Sequence, residues 1–435
     1  MRALYFVDSI HYSRGFNLTE ERNGDEEVAV TLLPTGEAAL AADDNGNGAI
    51  TVTTQSSRLQ YDRRGGNIRE GWYVYYNDTP EEGQLMFAYG NGAPYAQSQI
   101  SLNNSLRAQL LANSNGFADA MSEDDLRTLL YDTDVNSYHV NVGHGNCSLL
   151  LIRSHKRPQI WMVDCSIHET PNKLVGNTFH RAELDACLMQ LANDAGIKVQ
   201  DIHIDRFFLT HMHYDHYNGM RCLINSGYIN QDTIFYVNLN YAMPSPGLNA
   251  ILQQMINLGC TKIVEPLTTN SSPTIQILYP NCHLFKDGRT ITSRVNYRIE
   301  KNVNDSSSVI RINLGWRSMV YTGDIEQDGL QIMSSYLGYP PICFTDIYAV
   351  SHHGSENGHP LSVSFTIPPY YGKGRNVPWI SLIMGRDGAF NGIFSPKVIN
   401  DFNYISNIVT TDDKPDGKPS SFLRIDWESG QVNKF

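Results

Sequence analysis

Apolar and polar positions alternate in short runs along the first hundred residues: "ALYFVDSI", "EEVAVTLLP", "GAITVTTQ", "GWYVYYND" and "GQLMFAYG". Turn-rich stretches such as "ADDNGNG" and "DRRGGN" separate them, a pattern that predicts a small β-rich unit. Two helices are predicted next, over "SLNNSLRAQLLANS" and "SEDDLRTLLYD", the second opened by Ser122 as a cap and by an acidic first turn. From residue 136 onward the texture changes to apolar runs of buried-strand length: "YHVNVG", "CSLLLIRS", "QIWMVDCS", "IDRFFLTH", "TIFYVNLN", "TKIVEP", "SSVIRINL", "SMVYTGD", "DIYAVSHHG", "WISLIMG" and "SSFLRIDW". Helical periodicity over "AELDACLMQLANDAG" and "GLNAILQQMINLG" falls between them, which predicts a layered α/β domain. The expected organisation is a β-rich domain over 1–135, ending in linking helices, and an α/β domain over 136–435.

Composition adds direction. With 435 residues, 41% hydrophobic and 18% charged, the chain has ample material for a large core. The net charge of −12 is lopsided, because residues 1–135 hold 9 Arg, no Lys and 20 Asp plus Glu. A field of that sign repels polyanions, so gripping of long duplexes through a broad basic face is disfavoured, and a small, cyclic or single-stranded substrate suits the balance better. The seven cysteines form no Cys-x-x-Cys pair and all lie beyond residue 135, the usage expected of reduced thiols in a cytoplasmic protein. The opening "MRALYFVDSI" meets Asp8 after five apolar residues, short of a signal-peptide core, and no apolar run has membrane-spanning length.

Candidate chemistry collects in "THMHYDHYNG", residues 210–219. His211 and His213, two apart, project from one side of an extended segment, and Asp215 and His216 follow at once. Imidazole nitrogen and carboxylate oxygen are ligands suited to zinc, manganese or iron. Two later strands end in matching residues: "SMVYTGD" at Asp324, and "IYAVSHHGSENG" at His352 and His353, with Ser355 just beyond. Ligand-type residues at successive strand ends share one rim, so the reading is a metal centre. The amino-terminal third, with His11 as its only histidine and its acids scattered, assembles no chemical site on this reading.

These segments resemble the metallo-β-lactamase fold. Its His-x-His-x-Asp-His signature is matched by His211, His213, Asp215 and His216, and its later strand-end aspartate and histidine by Asp324 and His352. More narrowly, the order of motifs is similar to the hydrolase domain of the ComEC family of competence proteins and its soluble relatives. "VNVGHGNCSLLLI" stands at the opening strand turn, and "WMVDCS" at a second strand whose Asp164 is a supporting residue. "NDSSSVIRI" with Asn304 and Ser308, then "VYTGDIE" and "AVSHHGS", follow in the same order. Two positions depart: between His216 and Asp324 the only histidine is His283, and Ser395 in "GIFSPKV" stands where a histidine is usual.

The resemblance implies a four-layer αββα sandwich and up to two metal sites. One draws on His211, His213 and a share of Asp324; the other, with the fuller shell, on Asp215, His216 and His352, with Asp324 as bridge. His353 competes with His352 for the ligand place. Asp215 is the expected orienter of the attacking water, while His353, Ser355, Ser308 and Asn304 would steady developing charge or bind substrate. Zinc is the expected metal, with manganese as the alternative. The implied activity is that of a metal-dependent phosphodiesterase or nuclease acting on a nucleic acid or a cyclic nucleotide. Hydrolysis of carbon esters, thioesters or lactams is the alternative chemistry. A metal-binding sensor whose amino-terminal domain docks a protein partner is the alternative class.

Overall fold

The computed structural model describes residues 3–12, 27–35, 49–55, 59, 68, 70–76, 85–86, 94–169, 178–239, 244–281, 303–360, 377–387, 392–412 and 420–435. Five strands, β1 (Ala3–Tyr12), β2 (Glu27–Pro34), β3 (Ile50–Gln55), β4 (Tyr73–Tyr76) and β5 (Leu85–Met86), form an antiparallel sheet in the order β3-β2-β1-β4-β5. Alternation gives this sheet two apolar faces. Val7, Val28, Val30, Leu32, Val52 and Val74 build one cluster, while Phe6, Leu33 and Tyr73 on the other side join the main core. The sheet is therefore docked rather than tethered, and the Tyr73 hydroxyl donates to the Pro244 carbonyl at 2.8 Å. In the β1–β2 ladder Val7 pairs with Leu32 and Ser9 with Thr31, which leaves Asp8 as the extra residue of a bulge.

Helix Pro94–Ser114 follows, then Glu123–Tyr131. The second starts as the sequence predicts, with the Ser122 hydroxyl accepting from the Asp125 amide at 3.1 Å. The first lies against helix Pro246–Asn257, where Asn103 Nδ2 donates to Asn249 Oδ1 at 2.8 Å. Its Leu106 and Leu110 enter the main core.

The remaining chain is mixed α/β. It contributes β6 (Asp134–Val140), β7 (Cys147–Arg153), β8 (Gln159–Cys165), the short pair β9 (His168–Glu169) and β10 (Thr178–Phe179), β11 (Arg206–Phe208), β12 (Ile234–Tyr236) and β13 (Ile263–Val264). Then come β14 (Ile275–Tyr279), β15 (Val309–Leu314), β16 (Arg317–Tyr321), β17 (Ile347–Ala349), β18 (Ile380–Ile383), β19 (Asn407–Thr410), β20 (Phe422–Asp426) and β21 (Val432–Lys434). One sheet has the order β13-β12-β11-β8-β7-β6-β20-β21 and the other β14-β15-β16-β17-β18-β19.

Period-two alternation assigns the faces. Leu150, Ile152, Trp161, Val163 and Phe208 of the first sheet share one buried cluster with Ile310, Ile312, Met319, Tyr321 and Leu382 of the second. The intervening Leu149, Leu151, Met162 and Phe207 pack with Leu184, Leu188 and Leu191 of helix Arg181–Ala195. On the far side Val320, Tyr348 and Ile383 pack with Leu330 and Met333 of helix Gln327–Leu337 and with Val398 and Phe402 of helix Pro396–Ile405. Strands β8, β11, β12 and β13 run parallel, as do β16, β17, β18 and β19, so each sheet has a block whose carboxyl ends point one way. In open α/β sheets that edge is where ligands bind. Among the described residues no helix is long and apolar enough to cross a membrane.

Candidate metal centre

The carboxyl end of β8 sets the frame. Asp164 adopts a left-handed φ of 54°, a conformation uncommon for a residue with a side chain. Its carboxylate accepts from the Thr210 amide and the Thr210 hydroxyl, both at 2.8 Å, and pins the chain leaving β11 just before His211. The same carboxylate lies 2.8 Å from His216 Nδ1. His213 is extended, and a short helix, Tyr214–Tyr217, starts directly after it, so Asp215 and His216 sit on its first turn.

The second sheet supplies the rest from equivalent ends. Asp324 follows β16, with its amide donating to the Ser307 hydroxyl at 3.1 Å. His352 and His353 follow β17 with φ of 48° and 53°. Three of the left-handed residues with side chains thus lie at this rim, the kind of backbone strain that clusters at functional sites. His353 Nδ1 lies 2.9 Å from the Met384 carbonyl just beyond β18, which turns Nε2 inward.

Asp215, His216, Asp324 and His353, all buried, each present one ligand atom, and the four atoms lie within 4.8 Å of one another. His216 Nε2 is 3.4 Å from Asp324 Oδ2 and 3.7 Å from Asp215 Oδ2; His353 Nε2 is 3.5 and 3.8 Å from the same atoms. Neither Nε2, nor Asp324 Oδ1, has a hydrogen-bond partner among the described residues. Ligands held at about 2.0–2.2 Å from one tetrahedral ion stand ~3–4 Å apart, and the four histidine–carboxylate pairs have that spacing. The residues fit a metal ion; which metal is not fixed by them.

Charge agrees with this. Burial disfavours the Asp215 carboxylate, but His216, His144 and His353 outweigh it and hold the carboxyl well below its ordinary range. Asp324 behaves likewise through His353 and His216. Against its own burial, His353 is pushed up to about 10, chiefly by Asp324 and then by Asp215. His216 is likewise raised well above its ordinary range against its burial, chiefly by Asp324 and Asp215, and imidazoles that gain protons from neighbouring carboxylates would exchange those protons for a cation.

Of the His352–His353 pair, which the sequence leaves open with His352 as the first choice, the structure brings His353 to the group. His353 joins the group, whereas His352 Nδ1 lies 3.4 Å from Glu326 Oε1 and its ring 5.6 Å from that of His11. The cause is the pair of left-handed residues together with the Met384 tether, which strand alternation does not anticipate. His211 and His213 stand beside the group, with His211 Nε2 3.0 Å from His213 Nδ1.

Of the expected substrate-binding residues, Asn304 and Ser355 bond to neighbouring side chains. Glu326 Oε1 accepts from Asn304 Nδ2 at 3.0 Å and from Asn357 Nδ2 at 2.8 Å, and Ser355 donates to Asn357 Oδ1. Ser308 is fixed through its backbone, its amide donating to the Thr210 carbonyl at 2.8 Å, and its buried hydroxyl makes no hydrogen bond among the described residues, while the neighbouring Ser307 hydroxyl accepts from the Asp324 amide at 3.1 Å. Ser395 caps helix Pro396–Ile405, accepting from the Lys397 amide at 3.2 Å, and donates to Glu356 Oε1 at 2.9 Å. His283 and the "GKGRN" segment at 372–376 lie outside the described residues.

Sequence reasoning missed four contributors. His144 Nε2 lies 3.1 Å from Asp215 Oδ2, on a turn whose Gly145 has φ 109°. A Cβ there would sit 2.3 Å from the Asp215 carbonyl oxygen, so only glycine lets the turn approach the site this closely. The other three come from the amino-terminal third. Asp8 Oδ2 accepts from the Tyr214 amide at 2.9 Å, the His11 ring lies 5.7 Å from that of His144, and Glu70 Oε2 lies 3.6 Å from His213 Nε2. The amino-terminal third, whose sequence pattern assembles no chemical site of its own, thus packs against the candidate centre. His144 sits within a quoted Gly-rich motif, but Asp8, His11 and Glu70 carry no motif of their own.

Compared with known protein families and with curated proteins, the chain matches no family model and no curated protein.

Proposed function

We propose that this chain is a metal-dependent hydrolase of the metallo-β-lactamase fold, acting as a phosphodiesterase on a nucleotide or single-stranded nucleic acid. The observation that carries the reading is the buried group of Asp215, His216, Asp324 and His353, with two inward imidazole nitrogens that no described residue hydrogen-bonds. Two sheets sharing one core, with helices on their outer faces, support the αββα assignment. A mixed set of imidazole and carboxylate ligands suits zinc or manganese, and an ion held there supplies Lewis-acid chemistry, polarising a phosphoryl oxygen and making water more acidic.

The chain's own residues do the positioning. Asp164 fixes the tautomer of His216, and the Met384 carbonyl that of His353, so both Nε2 atoms face the same gap. Asp215, oriented by His144, is placed to take up a proton at its carboxylate. The acidic amino-terminal third packs beside the rim and disfavours long polyanions, which argues for a compact substrate. The six described cysteines are unpaired, in keeping with a reducing, cytoplasmic setting.

The test is hydrolysis of bis-p-nitrophenyl phosphate by the full chain with added manganese or zinc. Turnover that EDTA abolishes and that His353→Ala loses is expected. Activity confined to carbon esters, thioesters or lactams under every metal would replace the phosphodiesterase reading.

A further inference from the structure

We propose that Glu70 is a positioning residue for the metal centre: it holds the outer nitrogen of His213 so that Nδ1 faces a second cation half-site shared with His211. The inference rests on the reading of Asp215, His216, Asp324 and His353 as the first cation site.

Three histidines at the rim, His211, His216 and His353, follow one plan. Each has one ring nitrogen held from outside and the other turned inward: His216 Nδ1 is held by Asp164 at 2.8 Å, His353 Nδ1 by the Met384 carbonyl at 2.9 Å, and His211 Nδ1 by the Thr210 hydroxyl at 3.2 Å. In these three the inward atom is Nε2. His213 is reversed. Its Nδ1 lies 3.0 Å from His211 Nε2, so those two atoms share one spot, and its Nε2 is the outer nitrogen.

The group facing that outer nitrogen is Glu70 Oε2, at 3.6 Å. Both side chains are shielded, at 2% exposure for His213 and 12% for Glu70, and the nitrogen makes no hydrogen bond among the described residues. The carboxylate is held in place from two directions. Its Oε1 accepts from the Ile10 amide at 3.0 Å and its Oε2 from the Val303 amide at 3.5 Å. One residue further along, Asp8 at the β1 bulge accepts from the Tyr214 amide at 2.9 Å. Two carboxylates of the amino-terminal third thus face this segment from outside, Asp8 through its bond from the Tyr214 amide and Glu70 at 3.6 Å from His213 Nε2.

The chemistry follows from the tautomer. A carboxylate beside Nε2 keeps the proton there and leaves the Nδ1 lone pair free, raising its strength as a ligand, and loss of such an outer partner typically costs about 10–100-fold in metal affinity. A purely structural role for Glu70, joining the sheet to the rest of the chain, would affect folding and both cation sites together. The two roles therefore differ in what Glu70→Gln does, because that change keeps the volume and removes the charge.

The experiment strips the full chain of metal, titrates it with zinc, and compares wild type with Glu70→Gln. Expected are two cations in wild type and, in the variant, about 10–100-fold weaker binding of one of them. The other cation and the melting temperature of the metal-free protein should be unchanged. Wild-type affinities at both sites in the variant, or a single cation in wild type, would overturn the inference and leave the metal-centre reading standing. A wild type that binds no zinc, manganese or iron would remove the metal-centre reading itself. If the metal-free variant melts lower, the nitrogen-15 spectrum of zinc-loaded wild type decides. A proton on His213 Nε2 supports the role, and one on Nδ1 overturns it.

Discussion

Asp324→Asn is expected to abolish cation binding at the buried group, and hydrolysis with it, in a chain that still folds. Asp324 is 1% exposed, and its Oδ2 is the shortest carboxylate contact of both His216 and His353 within the group, at 3.4 and 3.5 Å. Asparagine keeps the shape, and the backbone tie to Ser307 does not depend on the side chain. What is lost is the charge, leaving Asp215 alone to balance an ion. Direct loss of a ligand should exceed the about 10–100-fold that loss of an outer partner costs. Burial already works against protonation of His216 and His353, and without Asp324 both should lose protons at lower pH, which limits the number of unpaired charges left inside. Elemental analysis after dialysis, with circular dichroism to check the fold, reads the result. A stoichiometric ion retained by the variant would remove Asp324 from the ligand set.

Trp161→Ala is expected to cost about 3–5 kcal/mol of folding stability, the usual range for removing a buried aromatic. Trp161 is fully buried in the cluster that the two large sheets share, its ring centroid 6.1 Å from that of Phe208. The Arg206 guanidinium lies 4.7 Å from its ring centroid and is paired with Asp119 at 2.7 Å, so the cavity would open beneath a buried ion pair. Trp161 lies within β8 and packs in the shared core, whereas the ligands follow strand ends, so the loss should appear in the denaturant midpoint while the metal affinity of the folded protein holds. A change below about 1 kcal/mol would mean that the sheets do not depend on this shared core.

Much of the strand framework was legible because buried strands write long apolar runs: "CSLLLIRS", "QIWMVDCS" and "SSVIRINL" became β7, β8 and β15 with little change. Helix Glu123–Tyr131 was legible from its cap. Other elements left weaker traces. Helix Gln327–Leu337 carries Gly329 in its first turn, where an added Cβ would lie 2.7 Å from Asp305 Oδ1, so tight packing overrides a residue that sequence reading treats as a breaker. Helix Pro396–Ile405 does announce itself, since Ser395 is a cap and Pro396 a first-turn proline; the resemblance to a catalytic motif drew that serine toward chemistry instead.

At the site, residue types placed Asp215, His216 and Asp324 together, because each follows a strand whose end could be read. The choice between His352 and His353 could not be read, since it depends on two successive left-handed residues that histidine does not advertise. Asp8 and Glu70 were hidden for a different reason. They are separated from His213 by more than a hundred residues, and Asp8 is aimed by a bulge, which breaks the period-two rule used to assign faces.

Binding of a divalent cation among Asp215, His216, Asp324 and His353 is read by anomalous X-ray diffraction from a crystal of the full chain loaded with zinc, recorded on both sides of the zinc absorption edge. Expected is a difference peak in the gap between His216 Nε2, His353 Nε2 and the two carboxylates. A fully loaded crystal with no peak there, or with zinc only elsewhere on the chain, would contradict it.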